Sequence, residues 1–208
     1  AVALVDTAND QTRRMRDFMA AEAGDAHYGF ALRRVGVGLE AALNENFLYE
    51  PASSMKIVHA AFAVRACSLG IDNLDADNFV PNRCNDYYNT NVCPDDSYNC
   101  DPGDEPLSTT IAGMMRSSHN GRTHTIEEMY GRTTLNDFLE LAQLPEIHIN
   151  HTLGCLCDEP FNTATAGTMT RFYEQIADGT HFDATWRERL HDLMANLDES
   201  GYVGSFAM

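Results

Sequence analysis

The only lysine of the chain, Lys56, stands directly before the apolar run Ile57 to Val64, and this arrangement constrains the fold more than any other feature. The run has the length and composition of a buried helix, which Ser53 or Ser54 could cap or open. All other strongly basic side chains are arginines, which keep their protons near neutral pH, whereas a buried lysine can lose its proton. The single lysine therefore indicates a position where a proton is transferred.

A serine precedes this lysine by three residues, in the segment Tyr49-Glu50-Pro51-Ala52-Ser53-Ser54-Met55-Lys56. Residues i and i+3 share one face of a helix, so the Ser53 hydroxyl and the Lys56 amine are predicted to lie within hydrogen-bond distance. Desolvation lowers the pKa of a lysine, which can then take a proton from the serine. A surface lysine beside a capping serine is the alternative reading, although a cation is unfavourable at a helix N-terminus.

A second motif, Ser118-His119-Asn120, follows the helix-like stretch Ile111 to Met115. S-x-x-K together with S-D-N is part of the signature of class A β-lactamases and penicillin-binding proteins. Ser53-x-x-Lys56 matches the first element, and Ser118-His119-Asn120 resembles the second, with His119 in place of aspartate. On these motifs the chain resembles the serine β-lactamase and penicillin-binding protein superfamily, in its class A-like branch.

The resemblance covers most of the chain, from about Tyr28 to Asp198. Tyr28 to Val35 and Leu39 to Leu48 look like the first two strands of the family, and Asn162 to Ala166 looks like the threonine-rich entry to a later helix. The resemblance implies an α/β (α+β) fold of the β-lactamase/transpeptidase type. In that fold a helical half accompanies an antiparallel sheet, of which this chain would supply the N-terminal strands.

One family element, Lys-Thr-Gly, is missing, since no lysine follows Lys56. We expect the chain, which ends at Gly201 to Met208, to be incomplete at its C-terminus. The strand that supplies an oxyanion donor and a carboxylate clamp in the family would then be absent; loss of the motif together with the activity is the alternative. Residues 1–208 are expected to form a single β-lactamase-like domain, in which the cysteine-rich acidic residues 82–105 are an insertion.

Local patterns predict further elements. The hairpin is expected to turn near residues 36–38, and Thr134 and Asp183 are candidate N-caps. Helices are expected over residues 10–23, 51–68, 108–117, 134–143, 166–178 and 184–197.

Composition excludes some classes of function. Apolar residues make up 44% of the chain, enough for a globular core, and no apolar run reaches the length of a membrane span. The net charge of −17 argues against nucleic-acid partners and anionic membranes, because phosphates are bound through lysine and arginine.

The chain has six cysteines, an even number that fits an exported protein. Cys84, Cys93 and Cys100 lie in a polar stretch that can bury little, so we expect disulfides there. Cys67 is predicted to be either a free core thiol or a pairing partner. The first residues, Ala1-Val2-Ala3, suit a mature end left after signal cleavage, but an expression boundary would look the same. The even cysteine count is the feature that favours a secreted or periplasmic location.

Metal binding is an alternative at two places. Zinc accepts histidine and cysteine, and His148, His151, Cys155 and Cys157 lie close in sequence, but the usual zinc spacings are absent and disulfides are favoured. Acidic residues 95–105 do not match a helix-loop-helix calcium site, so a solvated loop is favoured over calcium. We therefore expect no metal and no cofactor.

The family resemblance implies a role for each motif residue. Ser53 would be the nucleophile, and Lys56 would be its base or part of a proton relay. Ser118 would pass a proton to the leaving nitrogen, and Asn120 would bind the substrate amide and hold Lys56. His119 departs from the family pattern, and it would either titrate near neutral pH or point to solvent.

Glu159-Pro160-Phe161-Asn162 resembles the Glu-Pro-x-x-Asn of class A enzymes but is one residue short. Glu159 is therefore a weak candidate for the base that activates the deacylating water, and an acidic turn residue before proline is slightly favoured. Three functions follow from the resemblance. The chain could be a serine hydrolase that forms an acyl-enzyme with β-lactams, a D-Ala-D-Ala carboxypeptidase or transpeptidase acting on peptidoglycan stem peptides, or a non-catalytic binding module.

Overall fold

The computed structural model describes residues 29–80, 103–153 and 160–195, together with helical residues at 10, 13–19 and 21. The strands are β1 (Phe30–Arg34), β2 (Gly38–Leu43), β3 (Asp77–Val80) and β4 (Gly103–Pro106). A 3-10 turn over Ala52–Met55 leads into the helices α1 (Lys56–Ser68), α2 (Leu107–Arg116), α3 (Asn120–Tyr130), α4 (Arg132–Leu141), α5 (Ala166–Ala177) and α6 (Ala184–Ala195).

The predicted hairpin is confirmed. Strands β1 and β2 pair antiparallel, from Phe30 opposite Leu43 to Arg34 opposite Gly38. The turn needs glycine, because Gly36 and Gly38 have φ angles of 73° and 105°, where a side chain would be strained. Helix α5 packs against β1, and the ion pair between Arg33 and Glu174 joins the two elements.

Helix α1 is the centre of the core, as its apolar sequence predicts. Ten of its thirteen residues are buried. Its alanines are small enough for several helices to approach, and α2, α3, α4 and α6 all contact it. The neighbouring helices contribute large, nearly inaccessible side chains, namely Leu107, Ile111, Met114, Ile126, Leu135, Leu139 and Leu190. Burying each such side chain contributes about 1.5–3 kcal/mol.

The segment before α5 lies beside the segment before α1. Isolated antiparallel bridges pair Tyr49 with Ala164 and His148 with Thr163. The threonine-rich entry to α5 is a capping box, in which the Thr165 side chain accepts from the N–H of Thr168 and the Thr168 side chain accepts from the N–H of Thr165. These contacts hold residues 160–165 next to the turn that carries Ser53.

The structure corrects two capping predictions. Neither Ser53 nor Ser54 caps α1, because the 3-10 turn runs directly into the helix and the Lys56 N–H already donates to the Ser53 carbonyl. Thr134 is not an N-cap either, since α4 begins earlier, at Arg132 after Gly131. Asp183 is an N-cap as predicted, and its Oδ1 accepts from the Trp186 N–H at 3.0 Å.

Two features were not predicted. Helix α3 was missed because its buried residues are mainly polar (Thr123, His124, Thr125, Ile126 and Glu127) and present no apolar stripe. The hairpin of β3 and β4 was also missed. Residues 103–105 of the predicted insertion belong to β4, and residues 82–102 lie outside the described residues.

The cysteine predictions are tested at one position. Cys67 is buried and is a free thiol among the residues that the structure describes. The predicted disulfides of Cys84, Cys93 and Cys100 fall outside them, as do Cys155 and Cys157. None of the described helices is long and apolar enough to cross a membrane.

Candidate active site

Four predicted site residues lie together at the junction of three elements. Ser53 is in the 3-10 turn, Lys56 begins α1, Ser118 lies between α2 and α3, and Asn120 begins α3. The Lys56 Nζ atom is 3.2 Å from Ser53 Oγ, 2.9 Å from Ser118 Oγ and 2.7 Å from Asn120 Oδ1. The Ser118 hydroxyl donates to Ser53 Oγ at 2.8 Å. The spacing argument from the sequence therefore gave the correct contact between Ser53 and Lys56.

The amine of this cluster is buried, whereas its hydroxyls face solvent. Lys56 is 2% exposed, and both Ser53 and Ser118 are exposed. Lys56 also donates to the Ser118 carbonyl. The Lys56 amine therefore lies at the buried end of the site. A proton can pass between it and either hydroxyl along hydrogen bonds of 2.9 Å (Ser118) and 3.2 Å (Ser53).

The backbone has unusual conformations at two places in the site. Ala52, directly before Ser53, has a φ angle of 45°, and Ser118 has a φ angle of 57°. A non-glycine residue in the left-handed region costs about 1–3 kcal/mol and persists only where its surroundings enforce it. The Ala52 N–H donates to Oε1 of the Glu50 carboxylate at 3.2 Å. Such outliers concentrate at functional sites.

His119 has a role that the sequence did not indicate. It does not simply point to solvent, because it is half-buried and is the N-cap of α3. Its Nδ1 atom accepts from the Arg122 N–H at 3.3 Å, so this nitrogen carries no proton. The histidine that replaces the family aspartate therefore anchors the loop containing Ser118 to the helix that follows.

A bidentate ion pair supports the same loop from the side of β4. Arg122 donates to both carboxylate oxygens of Glu105, at 2.7 and 2.8 Å, and Thr110 donates to Oε1 at 2.9 Å. Burial opposes ionisation of Glu105, but the hydrogen bonds and charge of Arg122 outweigh it and lower the pKa of the carboxyl group. Glu105 is therefore an anion that ties α2, α3 and β4 together.

Gly113 gives the Arg122 side chain its space. A Cβ atom at this position would lie 2.7 Å from Cδ and Nη1 of Arg122. Real Cβ atoms essentially never approach so closely. The glycine in α2 is thus explained by the guanidinium that lies over it.

A buried polar network lies beneath the cluster. His59 Nε2 is 3.0 Å from Glu127 Oε1, and Thr152 donates to Glu127 Oε2 at 2.7 Å. Burial opposes ionisation of Glu127, yet the hydrogen bonds from His59 and Thr152 and the charge of His59 lower the pKa of its carboxyl group. Sequence reasoning missed these residues, although a histidine inside the apolar run was a visible signal.

A second buried histidine lies near the nucleophile turn. His151 Nε2 is 3.8 Å from Glu50 Oε2, and His151 Nδ1 is 2.9 Å from the Thr152 carbonyl.

Across the described ranges there is no group of three or more histidine, cysteine, aspartate or glutamate side chains that could hold a metal ion. The alternative zinc set remains untested, because Cys155 and Cys157 fall outside those ranges, as does Glu159.

The arrangement of the described elements is that of solved β-lactamases. A β-lactamase from Sphaerobacter thermophilus superposes with a TM-score of 0.70 at 18% identity, over 84% of this chain and 65% of that one. A β-lactamase from Xanthomonas campestris gives 0.71 at 17% identity, over 90% and 69% of the two chains. An ancestral class A β-lactamase gives 0.73 at 14% identity, over 91% and 72%. The likeness defines a mixed α/β fold of the β-lactamase type.

The family follows from the sequence itself. The β-lactamase enzyme family matches residues 10–205, and the chain belongs to that family. The predicted superfamily and fold class are therefore confirmed. No curated protein matches the chain. The chain spans roughly two thirds of the length of the solved β-lactamases that it resembles, 65% of the Sphaerobacter protein and 72% of the ancestral one.

Proposed function

We propose that this protein is a serine hydrolase that forms an acyl-enzyme with β-lactams, with Ser53 as the nucleophile. The observation that carries the proposal is a closed triangle of hydrogen bonds between Ser53 Oγ, Ser118 Oγ and Lys56 Nζ, with sides of 2.8, 2.9 and 3.2 Å. A solvent-facing hydroxyl next to a buried amine is the arrangement of an activated nucleophile. Membership of the β-lactamase enzyme family supports the same chemistry.

Acylation begins at Ser53. Its Oγ atom attacks the carbonyl carbon of the β-lactam amide, while its proton passes to the unprotonated amine of Lys56. The bond between Oγ and the carbonyl carbon forms, and the ring C–N bond breaks. The leaving nitrogen takes the Ser118 hydroxyl proton, and Lys56 returns a proton to Ser118, so both groups regain their starting protonation states.

Asn120 serves both the base and the substrate in this proposal. Its Oδ1 atom accepts from Lys56 at 2.7 Å, which orients the side-chain amide. We assign its Nδ2 group as a donor to the substrate amide. The backbone N–H of Ser53 is the oxyanion donor that the family resemblance assigns, and it would stabilise the negative charge that develops on the carbonyl oxygen.

A D-Ala-D-Ala carboxypeptidase or transpeptidase is the second candidate, and Asn162 is the observation that favours it. In the motif Glu159-Pro160-Phe161-Asn162 the asparagine is fully buried. Its Oδ1 atom accepts the N–H groups of Asn150 and His151, at 2.7 and 3.0 Å. This asparagine holds the backbone of a loop through its oxygen, and the motif is one residue shorter than that of class A enzymes; together these features favour slow deacylation.

The proposal also implies a class of substrate and a cellular location for the protein. A β-lactam and a peptidoglycan stem peptide share the amide that Ser53 would attack, so either is a possible small-molecule partner. Both are encountered outside the cytoplasm, which agrees with the expected secreted or periplasmic location.

Intact-mass spectrometry during incubation with penicillin tests the proposal. A transient adduct of penicillin mass with conversion of the drug supports the hydrolase, and a lasting adduct supports the peptidase. Ser53→Ala should form no adduct. Ser54→Ala is the matched control, because the Ser54 hydroxyl donates to the Pro51 carbonyl and its loss should leave acylation intact. An unaltered protein that forms no adduct would favour the non-catalytic binding module.

A further inference from the structure

Helices α1 and α3 meet in two polar layers. Lys56 and His59 are three residues apart and share one face of α1, while Asn120 and Glu127 are seven residues apart and share one face of α3. In the upper layer Lys56 Nζ lies 2.7 Å from Asn120 Oδ1. In the lower layer His59 Nε2 lies 3.0 Å from Glu127 Oε1. The lower layer therefore repeats the contact between helices made in the active site, about one turn further along α1 and two turns further along α3.

The contacts of the lower layer have the geometry of an ion pair. His59 Nδ1 is 3.1 Å from the Met55 carbonyl oxygen, and Nε2 faces the Glu127 carboxylate, so both ring nitrogens face acceptors. A neutral imidazole has one N–H group, whereas an imidazolium has two. Thr152 donates to the second carboxylate oxygen, which also favours the ionised form of Glu127. Imidazolium and carboxylate thus satisfy every contact of this pair.

Stability alone does not explain such a pair. His59 is 0% exposed and Glu127 is 5% exposed, so both charges lose almost all contact with water. Replacing a buried ion pair with well-packed apolar residues is often neutral or stabilising. Its best-attested advantage is to specify one register between packed elements, because a shifted register leaves buried charges without partners.

We propose that His59, Glu127 and Thr152 are positioning residues for acylation. The ion pair fixes how far α1 can slide or rotate on α3, and it thereby sets the distances from Lys56 to Ser118 and Asn120. Thr152 orients the Glu127 carboxylate from the neighbouring segment. The proposal rests on the proposed acylation of Ser53, because a displacement of about 1 Å in a reacting constellation can lower a rate about 100-fold.

Nuclear magnetic resonance of the unaltered protein tests the ion pair without any reaction. With ¹⁵N-labelled histidine, the two ring nitrogens of His59 should resonate close together, as in an imidazolium, and should separate in Glu127→Gln. A neutral His59 in the unaltered protein, with widely separated nitrogen resonances, would overturn the proposal even if every variant failed to fold.

Pre-steady-state acylation by penicillin tests the positioning role. The rate is measured per molecule that can be acylated, so loss of folded protein does not affect it. Glu127→Gln should lower this rate up to about 100-fold, with the dissociation constant of the non-covalent complex unchanged. Thr152→Val should lower it by a smaller factor, because it removes the hydrogen bond to Glu127 and the 3.5 Å contact with His124 Nδ1 but leaves the ion pair.

A matched control and a double variant complete the test. Thr125→Val removes a buried hydroxyl of α3 that donates to the Gly121 carbonyl outside the network, and its acylation rate should be unchanged. The double variant His59→Gln/Glu127→Gln should lose less acylation rate than the product of the factors lost by the two single variants, because two amide side chains can hydrogen-bond to each other.

An unaltered protein that is never acylated contradicts the proposed function. An unaltered protein that is acylated no faster than Glu127→Gln and Thr152→Val overturns the positioning proposal.

Discussion

Lys56 and Ser118 are 62 positions apart in the sequence, yet the Nζ atom of the lysine lies 2.9 Å from the Oγ atom of the serine. Lys56 also donates to the carbonyl oxygen of the same residue. Ser118 makes both contacts from a left-handed backbone, with a φ angle of 57°. The loop before α3 is therefore shaped around the lysine amine, which joins two otherwise distant motifs in one proton-transfer system.

Replacing Lys56 by arginine should slow acylation strongly. Arginine keeps a positive charge but cannot lose its proton near neutral pH, so Ser53 would have no base. We expect the acylation rate by penicillin to fall about 10²–10⁴-fold, the range for loss of a general base. Quenched-flow mass spectrometry measures the rate. A Lys56→Arg variant that reacts within tenfold of the unaltered protein would show that Lys56 is not the base.

Substitution of Gly113 by alanine should destabilise the protein through Arg122. The new Cβ atom would lie 2.7 Å from Cδ and Nη1 of Arg122, and the guanidinium can move aside only by weakening its bidentate pair with Glu105. We therefore expect a cost of about 1–3 kcal/mol in the free energy of unfolding. Urea denaturation measures the change. In an Arg122→Ala background the clash is gone, so the same substitution should be neutral or stabilising, as expected for alanine in a helix. An equal cost in both backgrounds would refute this explanation.

The protein should lose stability in acid through Glu105 and Glu127. The pKa of each carboxyl group is lowered from the ordinary value of 4.5 in the folded state. Below 4.5 the unfolded chain therefore binds more protons than the folded one. The stabilisation is fully present above this pH and is lost as the pH falls through the lower folded-state pKa values. Unfolding free energies measured from pH 7 to about pH 3 should fall less steeply for Glu105→Gln. Parallel curves would exclude Glu105 as a contributor.

Cys67 should resist alkylation in the folded protein. Burial, together with the nearby charge of Asp72, raises the pKa of the Cys67 thiol to about 11. The reactive thiolate is therefore scarce near pH 8, and the side chain is also shielded. Iodoacetamide labelling followed by mass spectrometry of the Cys67 peptide should show slow modification that becomes fast in denaturant. Equal rates in the two conditions would mean that this thiol is accessible in the folded state.

The sequence could predict those parts of the site that depend on short spacing or on familiar motifs. Ser53 and Lys56 are separated by less than one helical turn, so their contact follows from local geometry. The contact of Lys56 with Asn120 followed from the family resemblance, whereas its contact with Ser118 was not predicted. The buried helix α1 followed from its apolar composition, which ten buried residues confirm.

Other parts depended on tertiary contacts and could not be predicted. His59 and Glu127 are 68 positions apart, and nothing local in either segment indicates that they pair. Helix α3 was missed for a related reason, since the face that it buries is polar and is satisfied by partners on other elements. The role of His119 as an N-cap depends on where α3 begins, so this role could not be predicted from the sequence either.

The most direct test of the central claim is to locate the covalent adduct by tandem mass spectrometry. The unaltered protein is incubated with penicillin, acid-quenched and digested, and the peptide containing residues 49–56 is fragmented. The account predicts that the added penicillin mass lies on Ser53 and that neither Ser54 nor Ser118 is modified. An adduct on another residue, with Ser53 unmodified, would contradict the assignment of Ser53 as the nucleophile.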